Sequence, residues 1–225
     1  MNKIVNNSGF QIHPSTRLKK LYEKNAHQGA NPKEANILFV GRDPNWAIDI
    51  EEMPIFNLVT DYLTDGINFW KTHHIHHPFL LPDYKGDGKR YHTIFSKLNI
   101  DSKFSSQIAF VELIGFPTTG MSKKKNKAFQ NFLISELNRK HLIELDNLIN
   151  NPDKIIFIAW GLIDDFKFIY EKTGLFHKFS KLNKLEMNIS DLNQFENIFI
   201  HKHFSDSISN QTINKIVEKL TTFLL

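Results

Sequence analysis

The chain has no cysteine among its 225 residues. That excludes disulfide staples, cysteine-ligated zinc and cysteine-ligated iron–sulfur clusters, and it accords with a reducing compartment. Long hydrophobic runs are missing as well. The opening stretch, MNKIVNNSGFQIHPST, holds no apolar run of signal-peptide length, and nothing downstream approaches the roughly 18 uninterrupted apolar residues of a membrane span. These absences predict a cytoplasmic protein with no membrane partner. No linker-like composition, internal repeat or low-complexity tract breaks the sequence, so a single domain over residues 1–225, acting as a monomer, is the expectation.

What is present suits a packed core: 41% of residues are hydrophobic, 23% are charged, and 20 are phenylalanine. A net charge of +4 and a pI near 9.1 favour a polyanionic partner, although a coding bias toward lysine produces the same figures with no function attached.

Four short apolar segments bounded by polar residues read as buried strands: 37–41 (ILFVG), 108–113 (IAFVEL), 155–160 (IIFIAW) and 197–202 (NIFIHK). Stretches with helical spacing lie between them, for example Phe129, Phe132, Leu133 and Leu137. A first helix is expected around 15–28, capped by Ser15 or Thr16, and a last one along Ile213, Ile216, Val217 and Leu220. Alternation of this kind predicts an α/β fold, a three-layer α/β/α sandwich with a central, mainly parallel four-stranded sheet. Residues 76–90, rich in Pro, Gly, Asp and Lys, read as a long surface loop.

In such folds ligands bind beyond the carboxyl ends of the strands. The first strand runs into Gly41-Arg42-Asp43-Pro44-Asn45, the second ends at Glu112 before GFPTTG, the third ends in Trp160-Gly161, and the fourth leads into His201-Lys202-His203-Phe204-Ser205-Asp206-Ser207. Taken alone, Asp43 reads as an ordinary turn residue. Together the strand ends bring polar and small residues to one edge.

These segments resemble the uracil-DNA glycosylase superfamily, of which the chain looks like a divergent member. GRDPN is similar to the family's Gly-Gln-Asp-Pro-Tyr, IIFIAWG to its strand ending in Trp-Gly, and HFSDS stands where it carries His-Pro-Ser. Phe56 lies where the base-stacking phenylalanine is expected, and YHTIF at 91–95 resembles the helix before the second strand.

The resemblance implies hydrolysis of an N-glycosidic bond in DNA, releasing a flipped-out uracil-like or modified base and leaving an abasic site, with no cofactor. By that similarity Asp43 orients water and stabilises a cationic sugar, and His203 donates a hydrogen bond to the departing base. Phe56 stacks on the base, Gly41, Arg42, Pro44, Asn45 and Ser205 contact the substrate, and Ser207 meets phosphate. Three departures alter the pattern: Asn45 replaces a shielding Tyr, Phe204 replaces Pro, and Glu112 stands where many relatives carry an Asn. His201 becomes a rival for the role of His203. An ionised Glu112 only accepts hydrogen bonds, so it suits a base edge with donors, such as a cytosine derivative; its other reading is a pair with a Lys or Arg.

Lys123, Lys124 and Lys125 suit phosphate contacts or a plain solvated face. The run His73-His74-Ile75-His76-His77 could supply imidazole ligands, but no assured carboxylate or Cys partner completes a metal set. Trp46 and Trp70 read as core residues before base stackers. A non-catalytic DNA- or nucleotide-binding module on the same fold is the alternative from another class, and metal-dependent hydrolysis through the His-rich run is a third.

Overall fold

The computed structural model describes residues 9–84, 86, 88–120 and 127–224. The elements in chain order are β1 (Gln11–Ile12), α1 (Thr16–Lys24), β2 (Gln28–Gly29), β3 (Ile37–Gly41), α2 (Phe56–Thr64), α3 (Gly66–His73), α4 (Lys89–Phe95), β4 (Ile108–Glu112), β5 (Thr118–Thr119), α5 (Lys127–Leu133), α6 (Glu136–Asn150), β6 (Ile155–Ala159), α7 (Leu162–Thr173), α8 (His177–Ser180), β7 (Asn193–Phe195), β8 (Ile198–His201) and α9 (Asn210–Leu224).

The main sheet has six strands in the order β2-β4-β3-β6-β8-β7. Its inner four, β4-β3-β6-β8, are parallel, and they are the four strands read from the sequence. The expectation of a four-stranded sheet is corrected: short antiparallel strands, β2 and β7, cover the two edges and make it mixed. Pairing of these two- and three-residue edges is set by tertiary contact, below the length at which sequence alternation is visible.

Alternation along the inner strands divides the core. Leu38, Val40, Ala109, Val111, Ile156 and Ile158 pack toward residues of α5, α6, α7 and α8. Ile37, Phe39, Ile108, Phe110, Phe157 and Phe199 face the other way, toward Trp70 of α3, Phe95 of α4, and Ile213, Ile216 and Leu220 of α9. On that second face one phenylalanine from each inner strand stands at the same register. Phe39 stacks on Phe110 at 5.7 Å and on Phe157 at 4.9 Å, and Phe157 stacks on Phe199 at 5.2 Å, each between ring centroids.

The first helix follows its cap signal, and the last has a serine cap that the sequence reading did not name. The hydroxyl of Ser15 accepts from the Leu18 N–H at the start of α1, and that of Ser209 accepts from Thr212 N–H at the start of α9. The described residues of 76–90 are not the surface loop expected. His76, His77, Phe79 and Tyr84 are buried, and Pro78–Leu80 forms a short 3-10 turn whose Phe79 N–H is accepted by Nδ1 of His77. Polar and turn-forming composition misled here because aromatic stacking supplies the missing burial: Phe79 lies flat on Tyr84 at 3.9 Å. No helix among the described residues is long and apolar enough to cross a membrane.

Candidate functional site

A cleft of about 550 Å³ opens at the carboxyl ends of the parallel strands. Asp43 and His203 both line it, the first from the turn after β3 and the second from the turn after β8, with β6 between those strands. Gly41, Arg42, Pro44, Asn45, Glu112 and Ser205 line the same cleft.

The turn carrying Asp43 is held from the opposite side by Thr118, which is fully buried. Thr118 N–H donates to the Pro44 carbonyl at 3.0 Å, its carbonyl accepts from Trp46 N–H at 2.9 Å, and its hydroxyl donates to Oδ2 of Asp43 at 3.0 Å. Thr118 is itself fixed because β5 pairs with β1. The hydroxyl orients the carboxylate. Sequence reasoning noted GFPTTG only as a strand-end stretch, and nothing in the residues themselves marks this long-range contact. Asn45 is exposed, and its amide donates to the Gly120 carbonyl at 2.6 Å, closing the same loop pair.

The two histidines after β8 differ in which nitrogen is free. Nδ1 of His203 accepts from the Ser205 N–H at 3.1 Å, so the neutral ring carries its proton on Nε2, a donor left for the cleft. His201 is buried, and its Nδ1 donates to the Lys202 carbonyl at 2.7 Å, which leaves Nε2 as an acceptor. Burial holds His201 down to about 4, so it stays neutral. Burial also lowers His203, opposed by Asp206 and assisted by Arg42. Of the two, His203 alone offers a hydrogen-bond donor.

Glu112 sits at the inner end of the cleft. Its Oε1 accepts from Nε2 of Gln28 at 3.3 Å, while its Oε2 is out of reach of solvent and has no hydrogen-bond partner. The pairing considered from sequence, with a lysine or arginine, is replaced by a neutral amide. Burial, with the Asp43 charge second, pushes the carboxyl up to about 8. A shift in that direction favours the neutral acid over the ionised form assumed from the sequence.

Gln28 connects Glu112 to a buried polar chain that sequence reasoning missed. His77 Nε2 and the Tyr62 hydroxyl donate to its Oε1, at 3.0 and 3.4 Å. Its Nε2 donates also to the Tyr22 hydroxyl at 3.1 Å, which accepts in turn from Trp46 Nε1. Beside this chain His77 stacks on His92 at 3.6 Å between centroids, and Nε2 of His76 lies 3.0 Å from Nδ1 of His92. Burial lowers all three, His76 to about 3. These are neutral structural rings; among the described residues no group of three or more His, Cys, Asp or Glu is arranged to hold a metal ion.

Other expected site residues are placed elsewhere. Phe56 is buried in the cluster of α1 and α2, with the Arg17 guanidinium 4.4 Å above its ring. It does not line the cleft, so its expected stacking role is corrected. Sequence spacing put it near Asp43, but α2 turns its ring inward. Aromatic walls come instead from Tyr91 and Trp160, above Phe39, Phe110 and Phe157. Arg42 reaches into the cleft, yet its Nε and a terminal nitrogen both lie 2.8 Å from Oδ2 of the buried Asp165. Ser207 is exposed and outside the lining. Trp46 and Trp70 are both buried, although Trp46 also borders the cleft. Lys123, Lys124 and Lys125 lie outside the described residues.

Comparison with protein-family models, with curated proteins and with solved structures finds no match to this chain.

Proposed function

We propose that the chain is a monofunctional DNA glycosylase, hydrolysing the N-glycosidic bond of a nucleotide extruded into the cleft and leaving an abasic site. One observation carries this reading: an aspartate and a histidine with a free N–H line one pocket of about 550 Å³ at the strand ends. A nucleobase with part of its sugar fits that volume.

In the reaction the bond between C1′ and the base nitrogen breaks, and its electron pair leaves with the base. The Nε2–H of His203 stabilises the negative charge that develops there. Asp43, steadied by the Thr118 hydroxyl, faces the opposite charge on the sugar, orients a water for attack on C1′ and takes up its proton. Tyr91 and Trp160 supply flat walls for the base. The chemistry uses water alone and calls for no cofactor.

The test is to incubate the purified protein with DNA carrying a panel of damaged and naturally modified bases, then to cleave abasic sites with alkali. Strand scission at one base, lost on Asp43→Asn, is the expected result. Failure on every base, together with DNA binding unchanged in Asp43→Asn, favours a non-catalytic binding module.

A further inference from the structure

Resting on the glycosylase reading for the nature of the ligand, we propose that Glu112 meets it as a carboxylic acid, Oε2–H donating and Oε1 accepting. The cleft then selects a ring edge that carries one hydrogen-bond acceptor beside one donor.

The polarity follows from a chain of hydrogen bonds. The Phe79 N–H occupies Nδ1 of His77, so that neutral ring has its proton on Nε2 and donates to Oε1 of Gln28. The Tyr62 hydroxyl donates to the same oxygen. The Gln28 amide nitrogen therefore points at Glu112 and gives a hydrogen to Oε1. With the Gln28 hydrogen directed at Oε1, the proton of a neutral carboxyl belongs on Oε2. Oε2 is the atom left without a partner, in a residue that lines the cleft. A buried donor in that condition lacks an acceptor, and it finds one in a ligand when the carboxyl turns toward the cleft that the residue lines.

The surroundings oppose a second negative charge from every side. Asp43 faces Glu112 from the turn after β3. Tyr22 of α1, Tyr62 of α2 and Tyr91 of α4 all feel the Glu112 charge and are held neutral by burial. His77 and His92 are neutral for the same reason, and so is His141 of α6, whose Nε2 donates to the Glu112 backbone carbonyl at 2.7 Å. Arg42, the nearest guanidinium in the cleft, is committed to Asp165.

The change of protonation widens the ligand class. An ionised carboxylate asks only for donors, the reading that favoured an edge such as a cytosine derivative's. The neutral acid matches the C4 carbonyl beside N3–H in uracil and its 5-substituted derivatives, or N3 beside the amino group of cytosine.

Two measurements on the full chain test this. In the infrared difference between wild type and Glu112→Gln, a neutral-carboxyl C=O band is expected at pH 6.5 that titrates away with a midpoint near 8; its absence at pH 6.5 overturns the proposal. Single-stranded oligonucleotides bearing uracil, cytosine or N3-methyluracil serve as binding probes. Wild-type affinity for the uracil or the cytosine probe is expected to fall about tenfold for each pH unit above the midpoint, and N3-methylation is expected to weaken the uracil probe about tenfold. Glu112→Gln, which cannot ionise, is expected to lose the pH dependence. The same decline in that variant, or a flat wild-type profile, overturns the proposal. Cleavage of no base with the band and the pH-dependent binding intact removes the glycosylase reading and leaves this one standing.

Discussion

Gly41 and Glu112 are register partners at the carboxyl ends of β3 and β4, and a Cβ placed on Gly41 would stand 3.2 Å from Cγ of Glu112. The absence of a side chain at 41 is what admits the Glu112 stem beside the cleft. Gly41→Ala is expected to destabilise the fold by about 1 kcal/mol through overpacking. It should also weaken ligand binding more than the stability loss explains. Denaturant melts together with binding isotherms check both; binding equal to wild type would sever the link between the glycine and Glu112.

His203 and His201 should separate on substitution. His203→Ala removes the free N–H at little cost to the fold, so single-turnover cleavage is expected to slow by about a hundredfold or more while the melting temperature hardly moves. His201→Ala leaves the Lys202 carbonyl without its donor and opens space against Phe204, whose ring centroid is 4.5 Å away. That variant is expected to lose about 2 kcal/mol of stability. Reversal of the two phenotypes would transfer the donor role to His201.

Arg42 is expected to act on stability before it acts on nucleic acid. Its Asp165 partner has a side chain only 4% exposed, so Arg42→Ala removes a close cation from a buried carboxylate. A loss of about 3 kcal/mol is anticipated, with Asp165→Asn partly restoring it in the double variant. Salt dependence of DNA binding should be nearly unchanged, which filter-binding titrations can determine.

Acid should unfold this chain early. His76 and His201 are held to about 3 and about 4, and His77 and His92 lie below the ordinary 6.5, all by burial. The unfolded chain binds these protons first, so stability is present above pH 6.5 and is lost as pH falls from 6.5 toward 4. Each group contributes a slope of at most about 1.4 kcal/mol per pH unit while the pH lies between its unfolded and folded values. Glu112 acts in the opposite sense: its raised value adds stability below 4.5 that is lost as pH rises through about 8. Thermal melts across this range should therefore show a steep acid limb and a shallow decline on the alkaline side.

The inner sheet was legible in the sequence because each of its strands is a short apolar run between polar residues, buried on both faces. That Asp43 and His203 would line one cleft was legible because strand ends in such sheets converge. What escaped was contact between distant segments. Gln28 reads as an unremarkable polar residue before a glycine, yet β2 places its amide between Tyr22, His77 and Glu112. Thr118 likewise gains its role only when β5 is pinned by β1. Phe56 failed in the other direction: its spacing from Asp43 suggested a place in the site, but the apolar demand of the α1–α2 cluster took the ring. Protonation of Glu112 was beyond any one-dimensional reading, since it depends on how many neighbours exclude water.

The row Phe110, Phe39, Phe157 and Phe199 crosses all the inner strands, and its first three rings also pave the cleft. Rings stacked nearly parallel in this way leave no slack along the sheet. A guest that enters can reshape the rim but not the floor, so the depth of the pocket works as a fixed gauge against which every candidate is measured.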